Sequence, residues 1–219
     1  MNEYSLEQSI KVLLEPGGVA ELRLLGTGKG VVSGYFDDPT KLAEAANEWN
    51  GRAEGIYFTL NPVNRDLLAR SANHLKEYAK HTTSDTDILH RQWLPIDFDP
   101  VRPAGISSTD EEHLAAINRA KEARDWLRKE GWPEPILADS GNGAHLLCGI
   151  NLPNDTNSTN LIKRCLEAVA FQFNDDKVTV DVTTCNAARI WKLYGTHACK
   201  GDNLPERPHR LAQILEVPS

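Results

Sequence analysis

The stretch QWLPIDFD, residues 92–99, decides the fold of the chain. It has the composition of a β-strand that ends in charge, and the Pro- and Gly-rich residues after it continue neither a strand nor a helix. Side chains alternate between the two faces of an extended chain. Asp97 and Asp99 are therefore predicted on one face, with Ile96 and Phe98 on the other.

The segments that follow this strand alternate between helical and extended patterns. Ser108 and Glu111 have the spacing of a capping box and predict a helix that stops near Gly131. Two strands, a helix and a further strand are then predicted at PILADS (135–140), AHLLCGI (144–150), residues 158–174 and VTVDV (178–182). The order β-α-β-β-α-β is compatible with a ferredoxin-like subdomain, of the kind found in RNA-recognition motifs (RRM).

The residues before QWLPIDFD predict a smaller unit of alternating strands and helices. Its elements are predicted, in order strand, strand, helix, strand and helix, at residues 19–25, 30–36, 40–49, 55–62 and 64–80. The fold class is α+β (α/β), with an antiparallel or mixed sheet that helices cover. We expect one domain over residues 1–219, with an N-terminal αβ lobe (1–90) and an RRM-like lobe (91–219).

The composition is that of an ordinary globular protein. Hydrophobic residues make up 40% and charged residues 25%, which argues against a disordered or fibrous class. No apolar run approaches the roughly 20 residues that a bilayer-spanning helix needs, and no basic segment precedes an apolar one at the start. The four cysteines lack CxxC spacing, which predicts reduced thiols. We expect a cytoplasmic protein with no membrane partner.

The distribution of charge is more informative than its total. A net charge of −7 argues against indiscriminate wrapping of nucleic acid. Positive charge is concentrated towards the C-terminal end, at Arg189, Lys192, Lys200, Arg207 and Arg210. This excess predicts a phosphate-bearing partner. Arg189 and Lys192 follow Asp181 closely enough to reach a phosphate at the same site, although each could instead be a surface charge.

Three aspartates form a candidate metal site. Like charges at Asp97 and Asp99 repel each other unless a cation lies between them, and hard divalent cations prefer carboxylate oxygens. Asp181 lies in a valine-rich strand, where burial without a partner is costly. Together the three could bridge two Mg²⁺ or Mn²⁺ ions, as in enzymes of phosphoryl transfer. The alternative is a solvated strand end and, at Asp181, an exposed strand face.

The segment SGNGAH, residues 140–145, is a candidate anion loop. Its glycines would let backbone N–H groups approach a triphosphate, and it supplies a hydroxyl and an imidazole. The predicted nucleotide-binding residues of this loop are Ser140, Gly141, Asn142, Gly143 and His145. The alternative is a plain Gly-Asn-Gly hairpin turn followed by a structural histidine.

The order of these motifs carries a family resemblance. IDFD (96–99), SGNGAH (140–145) and VDV (180–182), followed by a basic segment, resemble the motifs of the archaeo-eukaryotic primase superfamily. The similar members are the primase-polymerases of mobile elements, phages and plasmids. The resemblance covers roughly residues 50–210, and the first part of the chain matches only as a general α/β lobe.

The resemblance implies a two-lobed primase-polymerase core. It also implies that Asp97, Asp99 and Asp181 bind two Mg²⁺ or Mn²⁺ ions. The residues that would contact the incoming triphosphate are Ser140, His145, Arg189 and Lys192. The implied partners are nucleoside triphosphates, a single-stranded or primed DNA template, and a helicase or other accessory domain in a longer protein.

The resulting hypothesis is a DNA-directed primase or polymerase that transfers nucleotides to a 3′-hydroxyl. Template binding would use sugar-phosphate contacts, with Trp93, Trp191 or Tyr194 as either a stacking face or part of the core. Two alternatives remain open. One is a catalytically silent replication-initiator module that binds single-stranded DNA, and the other is a metal-dependent nuclease.

Overall fold

The computed structural model describes residues 4–218. Within that range the α-helices are α1 Leu6–Leu13, α2 Pro39–Glu48, α3 Asp110–Lys129 and α4 Thr156–Phe173. The strands are β1 Ala20–Leu25, β2 Val32–Phe36, β3 Gly55–Thr59, β4 His90–Pro100, β5 Ile136–Asp139, β6 Ala144–Pro153, β7 Val178–Val180, β8 Ile190–Lys192, β9 His197–Ala198, β10 Arg210–Leu211 and β11 Gln213–Glu216. Short 3₁₀ helices lie at Arg65–Arg70, Asp85–Asp87 and Val182–Cys185.

A five-stranded antiparallel sheet has the order β11-β5-β6-β4-β7. Helix α3 connects β4 to β5, and α4 connects β6 to β7. The chain order is therefore β-α-β-β-α-β, and the four strands lie in the spatial order of a ferredoxin-like unit. This confirms the predicted RRM-like arrangement, to which β11 adds an edge strand.

One face of this sheet packs against α3 and α4. Ile96 and Phe98 of β4 are fully buried in that core, together with apolar residues of both helices. Full burial of such a side chain contributes about 1.5–3 kcal/mol. Because side chains alternate along a strand, Asp97 and Asp99 lie on the opposite face, as predicted.

A second antiparallel sheet has the order β2-β1-β3-β8. One apolar core joins it to α1, to α2 and to the five-stranded sheet. This core includes Leu13, Leu22, Leu42, Ile56, Leu147 and Ile214. The two sheets are therefore held against each other by shared burial, and a cleft remains beside this core where polar residues replace apolar ones.

Strand β8 connects the two predicted lobes. It comes from residues assigned to the second lobe, yet it pairs with β3, with Tyr57 opposite Lys192. The first sheet is therefore not built from residues 1–90 alone, because its fourth strand returns from the C-terminal part of the chain. The single-domain division itself stays a prediction, and residues 1–3 and 219 lie outside the described range.

Three local predictions need correction. The capping box of α3 is formed by Thr109 and Glu112, one residue later than predicted. The expected helix over 64–80 is only the 3₁₀ helix Arg65–Arg70, after which the chain runs along β2. The predicted strand 178–182 ends at Val180.

Other predictions of the sequence are confirmed or extended. The four cysteines are free thiols, in agreement with their spacing. Helix α1 and the three short C-terminal strands β9 to β11 were not predicted. In the part of the chain that the structure describes, each helix is too short or too polar to cross a lipid bilayer.

Candidate active site

A cavity of about 270 Å³ lies where β4, β6 and β8 approach one another. Eight of the ten residues predicted to bind metal or nucleotide line it. They are Asp97, Asp99, Ser140, Asn142, His145, Asp181, Arg189 and Lys192. Gly141 and Gly143 are not among its lining residues. Residues far apart in sequence are thus brought to one cavity by the pairing of β4 with β6 and β7 and of β3 with β8.

The Asp97 and Asp99 carboxylates form the acidic wall of the cavity. Their side chains are 21% and 45% exposed, so each is partly withdrawn from water. The negative charge of Asp97, and then burial, raise the pKa of Asp99. The Arg102 guanidinium, 3.4 Å from an Asp99 oxygen, compensates only in part. This pair is a favourable site for a cation, because a cation between the two would remove their repulsion.

The third aspartate also lines the cavity, but one of its carboxylate oxygens is engaged in local hydrogen bonds. Asp181 follows β7 and caps the 3₁₀ helix Val182–Cys185, with its Oδ1 accepting bonds from the Thr183 N–H at 2.8 Å and the Thr183 hydroxyl at 2.7 Å. Its backbone N–H donates to the carbonyl of Asp97 at 3.0 Å, so the two residues are adjacent in the chain packing. Asp181 therefore lies at the site, but its carboxylate accepts hydrogen bonds from the neighbouring Thr183.

The donor set fits a hard divalent cation at Asp97 and Asp99. Among residues 4–218, no three Asp, Glu, His or Cys side chains lie close enough together to hold an ion as they stand. The predicted three-carboxylate cluster is therefore not assembled in this conformation. Since both Asp181 hydrogen bonds use Oδ1, its other oxygen is the one available to a cation.

Buried hydrogen bonds connect Trp191, Tyr194 and His145, and His145 lies next to Asp97. Trp191 Nε1–H donates to the Tyr194 hydroxyl at 3.0 Å, and that hydroxyl lies 2.7 Å from His145 Nδ1. Because the indole can only donate, the Tyr194 proton is left for His145 Nδ1. The neutral imidazole then carries its proton on Nε2, which faces Asp97 Oδ1 at 3.3 Å. Trp191 and Tyr194 are 3% and 0% exposed, so they belong to the core and offer no stacking face.

Removing the Tyr194 hydroxyl is expected to destabilise the fold. In Tyr194→Phe the Trp191 N–H and His145 Nδ1 lose their shared partner, and unsatisfied buried polar groups cost about 1–3 kcal/mol. Urea unfolding should show a lower midpoint with an unchanged m value. Tyr78→Phe is the control, because Tyr78 is 63% exposed. Equal stabilities of the Tyr194 variant and the control would contradict this role.

The SGNGAH loop contributes side chains to the cavity, contrary to the prediction that it offers free backbone N–H groups. The Gly141 N–H donates to Asp139 Oδ1 at 2.6 Å, and those of Asn142 and Gly143 donate to the Ser140 hydroxyl oxygen at 3.4 and 2.9 Å. These bonds stay within the loop and the last residue of β5, Asp139. The Ser140 hydroxyl keeps its proton for a ligand, because both bonds use the oxygen as acceptor.

The two glycines of this loop are required by close packing. Gly141 has φ +87°, and a Cβ there would lie 2.8 Å from Ala198 Cβ. A Cβ at Gly143 would lie 2.3 Å from the carbonyl oxygen of Phe98, on the neighbouring strand. Close packing of the turn against neighbouring residues thus requires both glycines, and their contact with nucleotide stays a prediction.

Lys192, Arg189 and Lys200 form the basic wall of the cavity. Lys192 is only 5% exposed, and its ammonium donates to two neutral oxygens, Thr196 Oγ1 at 3.0 Å and the His197 carbonyl at 2.8 Å. Burial lowers the pKa of Lys192 to about 7. Arg189 donates to the carbonyl and hydroxyl of Thr183, and its buried Nε has no hydrogen-bond partner among residues 4–218. Contact with an anion would stabilise the charged forms of Lys192 and Arg189.

Two of the predicted basic residues have structural roles instead. Arg207 pairs with Glu112 at 2.8 Å, and Arg210 pairs with Asp110 at 2.6 Å. These ion pairs attach the C-terminal segment to the first turn of α3. Only part of the basic excess seen in the sequence therefore faces the cavity.

Tyr57 and Lys200 also line the cavity; Lys200 belongs to the predicted basic segment, whereas Tyr57 was not predicted. The Lys192 ammonium lies 5.8 Å from the centre of the Tyr57 ring. Burial, and then the charges of Asp97 and Asp99, raise the pKa of Tyr57, which keeps its hydroxyl protonated. Alternation along GIYFT sets Tyr57 apart from its apolar neighbours, but only the pairing of β3 with β8 shows that it faces the site.

Comparison with known proteins identifies the class of fold. No protein-family model and no curated protein matches the sequence. The three-dimensional fold, in contrast, is similar to that of two solved structures, a primase and a polymerase domain, which agrees with the fold that the order of motifs predicts.

Two solved structures with this fold are similar to the chain. One is the crystal structure of primase RepB′, with 11% identity, a TM-score of 0.52, and coverage of 96% of this chain and 56% of that one. The other is the polymerase domain from Mycobacterium tuberculosis Ligase D in complex with DNA, with 16% identity, a TM-score of 0.51, and coverage of 94% of this chain and 78% of that one. The chain thus spans little more than half of the RepB′ structure. At such low identity these likenesses concern the fold.

Proposed function

We propose that the chain is a nucleotidyltransferase of the primase-polymerase kind, which adds nucleotides from nucleoside triphosphates to a 3′-hydroxyl paired with a DNA template. The observation that carries this proposal is one cavity with an acidic wall and a basic wall. Asp97 and Asp99 form the first, and the nearly buried Lys192 lies in the second. A triphosphate with its divalent cation presents the complementary charges.

Each wall has a separate task in this proposal. Asp97 and Asp99, joined by Asp181, would hold Mg²⁺ or Mn²⁺, which when bound activates the 3′-hydroxyl and neutralises phosphate charge. Lys192 and Arg189 bind the triphosphate and stabilise the charge of the departing pyrophosphate. The Ser140 hydroxyl donates a hydrogen bond to the triphosphate.

His145 has a positioning role in this scheme. Its Nδ1 is committed to Tyr194, so its Nε2–H is directed at Asp97. It orients the carboxylate or a phosphate oxygen by hydrogen bonding. Proton abstraction from the nucleophile would need a free imidazole nitrogen lone pair, and the bond from Tyr194 occupies it.

The two alternative functions predict different ligands. A silent initiator module has no need of Asp97 and Asp99 in one cavity, and a nuclease binds phosphodiesters without a site for triphosphate. The buried Lys192, whose two hydrogen-bond partners in the described part of the chain are neutral, favours a highly charged anion such as a triphosphate. A helicase or other accessory domain would supply further strand-handling functions in a longer protein.

Equilibrium binding separates these alternatives. Titration calorimetry with a dNTP should show binding that depends on Mn²⁺, because the carboxylates and phosphates share the cation. Binding of single-stranded DNA without any dNTP binding would favour the initiator module. Cleavage of labelled DNA in the presence of metal alone would favour the nuclease.

A further inference from the structure

A second cavity, of about 360 Å³, lies beside β2, at the edge of the four-stranded sheet that is far from β8. We call it the edge pocket. Its basic and aromatic lining consists of Arg70, Lys76, Lys80, His81, Tyr35 and Tyr78. Within the described chain, none of its lining residues is acidic. In a chain of net charge −7, this is a local positive surface.

The edge pocket has a fixed backbone. Residues 71–79 run along β2, and the backbones of Ser33 and Lys76 exchange hydrogen bonds of 3.1 and 2.9 Å. The Arg70 guanidinium donates to the Tyr35 hydroxyl at 3.1 Å and lies 5.8 Å from the centre of that ring. A preformed site loses little conformational freedom when a ligand binds.

Tyr78 has an unusual conformation for an aromatic residue. Its φ is +53°, in the left-handed region, and its side chain is 63% exposed beside the pocket. A hydrogen bond of 3.1 Å from its N–H to the Lys29 carbonyl holds this backbone, and its ring packs beside Gly30. Such strained positions persist where the surroundings fix them, often at functional sites. An exposed ring among cations is suited to stacking on a nucleobase.

A row of residues in register across the four-stranded sheet runs from the edge pocket to the active-site cavity, and the two at its ends, Ser33 and Lys192, are only 3% and 5% exposed. In register from β2 to β8, the row consists of Ser33, Arg23, Tyr57 and Lys192. Directly opposed residues of antiparallel strands lie on the same face. The first of them lines the edge pocket, and the last two line the active-site cavity. Three strand spacings, roughly 14 Å in all, separate the ends of the row.

We propose that the edge pocket binds a single-stranded segment of the template that extends from the active-site cavity to this edge of the sheet. Tyr78 stacks on a base, and Lys76, Lys80 and Arg70 contact phosphates. The inference rests on the proposed function, since a template held at the active site supplies the strand that reaches this edge. It adds a strand-binding site that is separate from the nucleotide-binding cavity.

Fluorescence anisotropy of the full chain with a labelled oligothymidylate, at several salt concentrations, tests this site. Lys76→Ala/Lys80→Ala should weaken binding and flatten the slope of log K against log salt by about 1.4, since each single-strand phosphate contact contributes about 0.7. Tyr78→Ala should weaken binding about tenfold, whereas Tyr78→Phe should retain wild-type affinity. Lys163→Ala, on the exposed face of α4, is the matched control.

Binding of a dNTP with Mn²⁺, measured on the same variants, separates this proposal from the proposed function. Weaker oligonucleotide binding with normal dNTP binding supports both. Unchanged oligonucleotide affinity and salt slope in the edge-pocket variants, with normal dNTP binding, would overturn the edge pocket alone. Absence of dNTP binding in the wild type would overturn the proposed function, and the anisotropy result would then decide the edge pocket by itself.

Discussion

The double variant Asp97→Asn/Asp99→Asn is expected to lose nucleotidyl transfer by about 1,000-fold or more, because removal of a single preorganised electrostatic group already costs about 100- to 1,000-fold. The two amides keep the shape of the carboxylates but cannot hold a divalent cation by charge. The loss should appear in extension of a labelled primer-template with Mg²⁺ or Mn²⁺.

The same variant should fold at least as stably as the wild type. The charge of Asp97 raises the pKa of Asp99, which means that the two ionised groups repel each other in the folded state. Replacing both removes that repulsion, so urea unfolding should show no loss of stability. Asp66→Asn/Asp176→Asn, at two exposed positions, is the matched control and should retain activity. Full activity in the Asp97 and Asp99 variant would contradict the assigned metal site.

Replacement of Lys192 is expected to have the second largest effect. Lys192→Met removes a buried cation that faces the proposed triphosphate, and loss of one partner of a buried charge pair costs about 2–5 kcal/mol. The affinity for dNTP should therefore fall about 30-fold or more. Titration calorimetry with Mn²⁺ measures it, with the exposed Lys163→Met as control.

The pH dependence of dNTP affinity gives a sharper test of the proposed contact between Lys192 and the triphosphate. Because its pKa is about 7, the wild type loses the ammonium as pH rises above 7, and dNTP affinity should fall by up to tenfold per pH unit. Lys192→Arg stays protonated, so its affinity should not show this fall. A wild-type affinity that is constant from pH 7 to 9 would contradict an ammonium–phosphate contact.

The free energy of unfolding should rise with pH above 7, whereas the dNTP affinity falls. The folded-state pKa of about 7 lies below the usual value of 10.5. Between these values the unfolded chain keeps a proton that the folded chain has lost, so the free energy of unfolding rises with pH. Lys192→Met should lack this rise and should be more stable than the wild type near pH 7, because no buried charge remains. Urea unfolding at pH 7 and 9 measures both effects.

Periodic features were predictable from the sequence because they depend on neighbouring residues alone. Alternation in QWLPIDFD set Asp97 and Asp99 apart from Ile96 and Phe98, and burial of the apolar pair confirms it. The β-α-β-β-α-β order likewise follows from successive segments.

Features that depend on tertiary contact were not predictable in the same way. Ser108 and Thr109 both begin a capping-box pattern, and the choice of Thr109 follows from a distant partner. The Ser108 N–H donates to Asn142 Oδ1 at 2.9 Å, which places Ser108 before the helix. The pairing of β8 with β3 is also a long-range event, without a local signal.

The hydrogen bonding of Asp181 to Thr183 was indicated by the local sequence, but the valine alternation favoured a continuous strand instead. An aspartate followed two residues later by Thr183 can form a local turn, because the threonine offers both an N–H and a hydroxyl. The strand ends at Val180, and this local bonding occupies one oxygen of the Asp181 carboxylate. Of the predicted site, the placement of eight of its ten residues in one cavity could be anticipated, whereas the local bonding of the third aspartate was overlooked.

The central claim, that this chain performs templated nucleotidyl transfer, is tested most directly by extension of a labelled primer on a DNA template, with an unprimed strand in parallel. We predict products that require both a nucleoside triphosphate and Mg²⁺ or Mn²⁺, and that follow the template sequence. Products on the unprimed strand would add primer synthesis to this activity. A folded protein that binds single-stranded DNA yet yields no product with either metal would contradict the claim and favour a strand-binding initiator module.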